Sequence, residues 1–510
     1  MLTRLRVKNF KNLVDVDLRF GPFTCIAGAN GVGKSNLFDA IRFLSFLAER
    51  PLLEAALAVR AESNHTGDVR SLFHRVGDRY AETIEFAADI IIPATGIDDL
   101  GQTAKASITL LRYEVILAYK SSSTLYPSDT LELQHEKLIH LNIGDAPKHL
   151  RFEHEAKTWR KSLVKGRRTS PFISTDDEDG RRVVKLHQDG NQGRPRSLLA
   201  SDLPRTVLSA TDAAESPTAL LARREMQSWR VLQLEPSSLR QPDNFTAPTH
   251  LGTDGSHLAS TLYYLAQTVR HQAADEDVSL GAQTQLYAQV ANRLSGLLDG
   301  VRELWVDRDE ARQLLTIMVE TGDRTIHPAR SLSDGTLRFL ALAVLDLDPD
   351  TRGLICLEEP ENGVHPARIP NILQLLQDVA VDPEEEVGSD NPLRQVIVNT
   401  HSPVVVQQIP DDSLLIADIV TFSTPETRRQ AAHFRYLKDT WRTNTEEHDS
   451  SKLVSREELS VYLNPVPPEP EGNGYDPATS KTTRKRPSRR IIDRPDLQPF
   501  IPGFHESFRA

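Results

Sequence analysis

The stretch Gly28-Ala-Asn-Gly-Val-Gly-Lys-Ser-Asn36 follows the apolar run Phe23–Ala27 and precedes apolar residues that recur at helical spacing. Its glycines let the backbone turn tightly, so that successive N–H groups and the start of the next helix face the phosphates of a nucleotide. Lys34 is placed to reach the β- and γ-phosphates, and the Ser35 hydroxyl to hold Mg²⁺. The pattern therefore predicts a P-loop that binds ATP and Mg²⁺. The predicted nucleotide contacts within it are Asn30, Gly31, Gly33, Lys34, Ser35 and Asn36.

Length and composition fit a soluble globular protein of two or three units, with 510 residues of which 26% are charged. A net charge of −11 argues against nucleic-acid binding over the whole surface, although local basic patches can still bind. The start, MLTRLRVKNFKN, lacks the apolar segment of a signal peptide, and no apolar run is long enough to span a bilayer. Cys25 and Cys356 lie in short apolar runs, where core packing explains them better than a metal or a disulfide. We therefore expect a cytoplasmic protein with no membrane partner.

Hydrophobic periodicity indicates a P-loop α/β fold with a mixed sheet, an antiparallel β subdomain and a helical insertion. Between about residues 82 and 186 apolar and polar residues alternate, as in a sheet with one wet face. Beyond about Pro465 the chain is rich in Pro, Gly and charge, which is typical of a disordered tail. Its basic cluster between Lys481 and Arg490 is either a solvated tail or a contact for nucleic acid or an acidic partner. The predicted units are an ATPase lobe over 1–80, the β subdomain over 81–210, the helical insertion over 211–300, the second part of the ATPase lobe over 301–465 and the tail over 466–510.

Two carboxylates end the apolar strand that begins at Leu354, in the sequence Glu358-Glu-Pro-Glu-Asn-Gly-Val-His-Pro366. Hydrolysis at a P-loop needs one acid for the Mg²⁺ shell and one to deprotonate the attacking water. Glu358 is the candidate for the first role and Glu359 for the second. Alone, such a pair is more often a solvated strand end, but the P-loop upstream and His401 downstream favour the catalytic interpretation.

His401 closes the next predicted strand, in Asn399-Thr-His-Ser-Pro403, where an imidazole can hydrogen-bond the γ-phosphate and respond to its loss. Leu332-Ser-Asp-Gly-Thr336 precedes a predicted helix and offers a second anion-binding N-terminus, with Gly335 allowing close backbone approach. Without its companions this segment would be an ordinary helix cap.

These four segments, in this order, resemble the ATP-binding-cassette (ABC) ATPase heads of the SMC/RecF/OLD group. They are most similar to compact bacterial AAA-type ATPases with OLD-like heads, such as the PtuA-like phage-defence ATPases. The resemblance covers roughly residues 1–50 and 325–420, and it includes Asn9-Phe-Lys-Asn12, which is similar to a nucleotide-contacting turn of these heads.

The resemblance implies a role for each matching residue. Lys34 and Ser35 would bind phosphate and Mg²⁺, and Lys11 and Asn12 would contact the nucleotide. Glu358 would be the Walker B acid, Glu359 the catalytic base and His401 the switch histidine. Ser333 and Gly335 would be the signature motif, which completes the site of a second subunit, so that ATP joins two chains into a homodimer or a higher homo-oligomer.

Two positions depart from the pattern of many cassette ATPases: position 358 is Glu rather than Asp, and position 334 is Asp rather than Gly. Asp334 would add negative charge near the γ-phosphate and either weaken contacts with the second subunit or slow turnover. No Asp-x-Asp follows His401, as a Toprim nuclease would require, so a nuclease would be a separate effector chain.

Three functions remain open on the sequence. The first is an ATP-hydrolysing switch that senses or holds DNA or RNA and regulates such an effector, in antiviral defence. The second is a RecF-like DNA-repair ATPase without a nuclease partner. The third, the energy subunit of a membrane transporter, is disfavoured by Asp334 and by the forms of the carboxylate and histidine segments.

Overall fold

A computed structural model describes residues 1–59, 68–120, 130–190, 193–272, 276–296, 298, 300–423, 428–443 and 450–463. All of them belong to one unit, Met1–Asn464. The predicted tail, including its basic cluster, lies outside the described residues. Among the helices described, none combines the length and the apolar character that crossing a membrane requires.

An eight-stranded antiparallel sheet forms where the sequence alternates apolar and polar residues. Its order begins with the strand nearest residue 200 and ends with the two amino-terminal strands. In that order the strands are Arg196–Leu199, Arg181–Leu186, Ile173–Glu178, Thr130–His140, Leu110–Lys120, Thr83–Ile91, Leu2–Phe10 and Leu13–Arg19.

The predicted boundary at residues 80 and 81 is therefore wrong for the first two strands. Leu2–Phe10 pairs with Leu13–Arg19 on one side and with Thr83–Ile91 on the other, so the amino-terminal hairpin belongs to the β subdomain. Local periodicity defines each strand, but only its long-range partner decides which sheet it joins.

A seven-stranded mixed sheet carries the P-loop. In spatial order its strands are Arg230–Leu232, Gly353–Glu358, Arg394–Thr400, Phe23–Gly28, Leu414–Ser423, Arg428–Leu437 and Leu453–Val454. The first five are parallel, so their carboxyl ends lie along one edge. The strand that ends at Thr400 lies between the P-loop strand and the strand that ends at Glu358, which brings three predicted motifs to neighbouring positions on that edge.

The smaller sheets complete the described strands. A four-stranded sheet contains Asp243–Asn244, Leu314–Thr321, Val301–Asp309 and Ile326–Pro328. Two short hairpins pair Arg75–Val76 with Arg79–Tyr80 and Thr95–Ile97 with Thr103–Lys105.

The described helices of seven or more residues are Lys34–Leu47, Leu52–Ala58, Pro217–Gln227, Leu258–Gln272, Glu276–Ser295, Asp334–Leu347, Ile369–Val379 and Arg456–Leu463. Shorter α-helices span Ala146–His149, Lys161–Leu163, Pro236–Leu239 and Pro403–Val406. The predicted helical insertion over 211–300 also contains two short strands, since Arg230–Leu232 pairs with Ile355–Leu357 in the mixed sheet and Asp243–Asn244 pairs with Leu314–Leu315. Three residues carry too little periodicity to reveal a strand that is buried by its neighbours.

Both faces of the mixed sheet are buried, because successive side chains of a strand point to opposite sides. In the P-loop strand, Ile26 packs into the core shared with the antiparallel sheet and the Lys34–Leu47 helix. Cys25 and Ala27 pack into the opposite core, which the Asp334–Leu347 and Ile369–Val379 helices cover. Each large apolar side chain buried in this way contributes roughly 1.5–3 kcal/mol. The sheet edge that carries the motifs is thus fixed from both sides.

Candidate functional site

The P-loop joins the Phe23–Gly28 strand directly to the Lys34–Leu47 helix. Gly33 precedes the helix with φ of +110°, a left-handed conformation that side chains rarely adopt. A Cβ atom there would also come within 2.6 Å of the Asn12 side chain. The glycine is therefore required both by the turn and by the close approach of Asn12, and Asn30, Gly31 and Ser35 stay exposed beside it.

The Lys34 ammonium lies inside the loop. Nζ donates hydrogen bonds to the carbonyl oxygens of Gly28 at 2.7 Å and of Ala29 at 2.8 Å, and the side chain is buried. Burial lowers the pKa of the ammonium, while the charges of Glu359, Glu358 and Glu361 act in the opposite direction. These carboxylates lie near enough to be felt electrostatically, as the predicted convergence requires.

Glu359 and His401, which were predicted to share one site in separate roles, are in direct contact. His401 Nδ1 and Glu359 Oε1 are 2.8 Å apart, and Asn362 Nδ2 donates to Glu359 Oε2 at 2.7 Å. Glu359 has φ of +45°, an uncommon left-handed backbone for a residue other than glycine. Its N–H donates to Asn399 O at 3.0 Å and to Asn399 Oδ1 at 3.1 Å, which anchors this turn to the neighbouring strand.

Glu359 is held in the form that a base requires. Burial favours the neutral acid, but the hydrogen bonds from Asn362 and His401 and the charges of His401 and Lys34 outweigh it and lower the pKa of Glu359. Its carboxylate is therefore ionised at neutral pH. Glu358, one residue earlier, accepts a longer hydrogen bond of 3.4 Å from Asn399 Nδ2.

Sequence reasoning missed three polar residues that organise this edge: Asn362, Asn399 and Glu361. Glu361 is buried, accepts a hydrogen bond from the Thr400 hydroxyl, and its Oε2 has no partner in the described part of the chain. Burial raises the pKa of Glu361. All three lie within or directly beside the predicted motifs, so their position in the sequence was the available signal.

The amino-terminal turn touches the P-loop mainly through Asn12. Asn12 Nδ2 donates to Val32 O at 3.2 Å, and Asn36 Nδ2 donates to Asn12 Oδ1 at 2.8 Å. Lys11 instead forms an ion pair with Asp39 on the P-loop helix. The structure thus brings both predicted residues to the loop, with the Lys11 charge already paired within the chain.

The predicted signature segment caps the Asp334–Leu347 helix. Ser333 is exposed, and its Oγ accepts a hydrogen bond from Thr336 N at 3.2 Å. Gly335 packs so tightly that an added Cβ would lie 2.5 Å from Gly363 O. The close backbone approach at Gly335 is therefore made to Gly363 of the same chain. Asp334 forms an ion pair with Arg240. This pairing offsets the negative charge that the sequence alone left unbalanced.

Two cavities flank the P-loop and the carboxylates. One, of about 680 Å³, borders the loop and is lined in part by Asn12, Gly31, Asn36, His74 and Gln430. The other, of about 410 Å³, opens beside Glu358 and Glu359 and includes Arg338. Both fall in the size range of small-molecule sites.

A P-loop strand separated by one strand from a strand that ends in two carboxylates defines an ABC-type P-loop ATPase. Residues 150–407, slightly more than half of the chain, match the family model described as "AAA domain, putative AbiEii toxin, Type IV TA system", and residues 4–142 match a second AAA-domain model. The chain belongs to this family of AAA-domain ATPases and is an ABC ATPase of the SMC/RecF/OLD-like type.

Curated relatives match over short segments. The DNA replication and repair protein RecF of Porphyromonas gingivalis is 47% identical over 47 residues, which are 9% of this chain and 13% of that protein. The OLD nuclease of Thermus scotoductus is 56% identical over 41 residues, 8% of each chain. The matches therefore span a small part of these relatives.

Solved SMC heads are similar in outline. An SMC head bound to the C-winged helix domain of ScpA has a TM-score of 0.40 and 14% identity, covering 84% of this chain and 97% of that one. The SMC head domain from Thermotoga maritima has a TM-score of 0.33 and 13% identity, with the same coverage. The assignment of the class rests on the family models and the strand order rather than on these values.

Proposed function

We propose that this chain is an ATP-hydrolysing switch whose two copies join around ATP and control a separate effector that acts on nucleic acid, in the cytoplasm and in antiviral defence. The observation that carries the catalytic part is the contact of 2.8 Å between His401 and Glu359 on the sheet edge next to the P-loop. A base, a residue that orients it and a phosphate-binding loop are together the minimum for phosphoryl transfer to water.

The residues divide the reaction between them. Lys34 leaves the carbonyls of Gly28 and Ala29 to donate to the β- and γ-phosphates. A water oxygen attacks the γ-phosphorus, its proton passes to the Glu359 carboxylate, and the bond to the β–γ bridging oxygen breaks so that ADP leaves with the electron pair. His401 orients Glu359 and hydrogen-bonds the γ-phosphate. It therefore loses a hydrogen-bond partner when the γ-phosphate leaves, which makes it sensitive to hydrolysis.

The oxygen donors beside the loop suit Mg²⁺, which prefers one or two protein oxygens together with phosphates and water. Ser35 is exposed, and the Glu358 carboxylate is engaged by one long hydrogen bond in the described structure. These two residues would hold the ion, which supplies charge neutralisation for the phosphates.

The proposed dimer uses the exposed Ser333 of each chain against the triphosphate of the other. Ser333→Asp should keep the helix cap, since Asp caps as well as Ser, but it should place a negative charge against the γ-phosphate. We expect ATP-dependent dimerisation to weaken at least about tenfold, with ATP binding by the monomer unchanged. Ser389→Asp is the matched control, because it adds the same charge at an exposed serine on the acidic loop after the Ile369–Val379 helix and should dimerise normally. Light scattering after size exclusion measures both, and equal dimerisation of the two variants would contradict the proposed interface.

The low pKa of Glu359 predicts a pH profile. Because the carboxylate ionises below its usual range, kcat should stay level from pH 8 downward and fall only when pH drops through that lowered pKa. Asn362→Ala removes a hydrogen bond to the ionised form, so the acid limb of kcat should move to higher pH. Asn371→Ala, which removes an amide that contacts Gly296 instead, should leave the limb in place. If the kcat profiles of the Asn362 and Asn371 variants coincide, Asn362 does not lower the pKa of Glu359.

A RecF-like repair ATPase is the second candidate, supported by the RecF match over 47 residues. A nuclease encoded beside this gene that co-purifies with the chain would favour the switch. Binding to gapped duplex DNA, with no such neighbour, would favour the repair function.

A further inference from the structure

A third cavity, of about 1010 Å³, lies away from the P-loop and is strongly basic. Seven described lining residues are Arg or Lys and two are acidic. The basic ones are Arg4, Arg19, Lys148, Arg151, Arg160, Arg442 and Lys452, and the acidic ones are Asp17 and Glu153. Such an excess of one sign in a concave site attracts an anion of the opposite sign.

The cavity opens at the amino-terminal edge of the parallel strands. Arg19 lies just before the P-loop strand, and Leu415 lies near the start of the neighbouring parallel strand. Leu415 pairs with Ile26 of the P-loop strand, but none of the residues that line this cavity also lines the cavity of about 680 Å³ beside the P-loop. The cavity is therefore separate from the ATP site, and its lining comes from both large sheets.

Three arginines in the cavity have no carboxylate partner among the described residues. Arg19 Nη1 donates to His149 O at 3.3 Å, and Arg151 Nε donates to Lys148 O at 3.0 Å. Arg442 donates to the carbonyl oxygens of Asp412 and Arg19. Arg4, by contrast, is paired with Asp17. Backbone oxygens thus hold the three guanidinium groups in place, and no carboxylate contacts them directly in the described structure.

Several polar atoms here are buried and have no hydrogen-bond partner in the described structure: Arg442 Nη2, Arg151 Nη1 and His154 Nε2. Arg442 is 4% exposed, so its orphaned N–H group carries a substantial desolvation cost unless a ligand accepts from it. Burial, with repulsion from Arg4 and Arg151, lowers the pKa of Arg19, and burial lowers that of Arg442. An anion in the cavity would accept a hydrogen bond from the unpartnered N–H group of Arg442 and would raise the pKa values of both arginines.

The lining also contains aromatic rings. Trp441 stacks on the Arg442 guanidinium at 4.1 Å, and its Nε1 donates to Asp412 O at 3.0 Å, which fixes the ring. Tyr436 lines the same cavity. Guanidinium groups recognise phosphate through paired N–H donors, and aromatic rings beside them stack on nucleobases.

We propose that this cavity binds the terminal phosphate of a nucleotide, either as a free nucleotide or as the 5′-phosphorylated end of a nucleic-acid strand. A phosphomonoester carries a charge of about −1.5 to −2 at neutral pH, which matches several unpaired guanidinium groups. The volume suits one or two nucleotides rather than a duplex.

The test uses the full chain with Lys34→Met, so that the P-loop does not contribute and a failure of ATP hydrolysis has no bearing on the result. Titration calorimetry would measure binding of thymidine 5′-monophosphate, of 5′-phosphorylated (dT)4 and of (dT)4 with a 5′-hydroxyl. We expect one site per chain for at least one phosphorylated probe, and at least tenfold weaker binding of the hydroxyl probe. Binding of the monophosphate identifies a free nucleotide as sufficient, and binding of only the phosphorylated strand identifies a strand end.

Arg19→Gln and Arg151→Gln should each weaken that binding at least tenfold, and Arg19→Lys should restore part of it. Arg302→Gln, at an exposed ion pair with Glu320 on another sheet, is the matched control and should bind normally. If either Gln variant unfolds, Arg160→Gln provides the same comparison from a half-buried position. The proposal is wrong if no phosphorylated probe binds with a Kd below about 1 mM, the value of a weak site. It is also wrong if the hydroxyl probe binds as tightly as the phosphorylated one, or if the folded Gln variants bind like the control.

Discussion

Glu359→Gln is expected to bind ATP normally, to hydrolyse it about 100-fold or more slowly, and to accumulate as a dimer in the presence of ATP and Mg²⁺. The amide is nearly isosteric with the carboxylate but cannot accept the proton of the attacking water, and a positioned general base contributes roughly 10²–10⁴ to the rate. His401 and Asn362 contact the two carboxylate oxygens, so the side chain should stay in position. Phosphate release and size exclusion with light scattering measure the two effects.

Glu384→Gln is the control, since Glu384 lies exposed on the acidic loop that follows the Ile369–Val379 helix. It should hydrolyse ATP like the unmodified chain. A Glu359→Gln variant that remains monomeric at saturating ATP would refute the proposal that ATP joins two copies. A variant that hydrolyses at the normal rate would remove Glu359 from the base role.

Lys34→Met is expected to weaken ATP binding by about 100-fold or more, and therefore to abolish both hydrolysis and ATP-dependent dimerisation. The change removes the buried ammonium but retains the apolar length of the side chain. Charged hydrogen bonds to phosphate contribute roughly 1.5–3 kcal/mol each, and Lys34 has donors for both the β- and γ-phosphates. Calorimetric titration with a non-hydrolysable ATP analogue measures the loss.

Lys8→Met serves as the comparison because Lys8 lies exposed on the first strand and lines neither of the cavities beside the loop and the carboxylates. Its affinity for the analogue should equal that of the unmodified chain. Equal affinities for the Lys34 and Lys8 variants would show that the phosphates bind elsewhere. Loss of folding is checked by the thermal transition, which should stay close to normal since Met preserves packing.

Much of the site could be predicted because its chemistry lies in short contiguous segments. The P-loop, the Glu358-Glu359 pair and His401 each combine a strand end with the residue type that phosphoryl transfer requires, and their order along the chain indicated one site. Asn362 and Asn399 escaped notice because their roles depend on hydrogen bonds to Glu359, and their position beside the motifs does not show which group each side chain will contact.

The sequence by itself determined the class of this protein, since loop, carboxylates and histidine must meet at one sheet edge to act together. Tertiary structure alone decided which sheet receives the Leu2–Phe10 strand, that Arg230–Leu232 extends the P-loop sheet, and that Arg240 offsets the charge of Asp334. It also decided that Arg19, Arg151 and Arg442 meet in one basic cavity. The physical reason is that periodicity and turn chemistry act over a few residues, whereas strand pairing, ion pairs and cavities join residues tens to hundreds of positions apart.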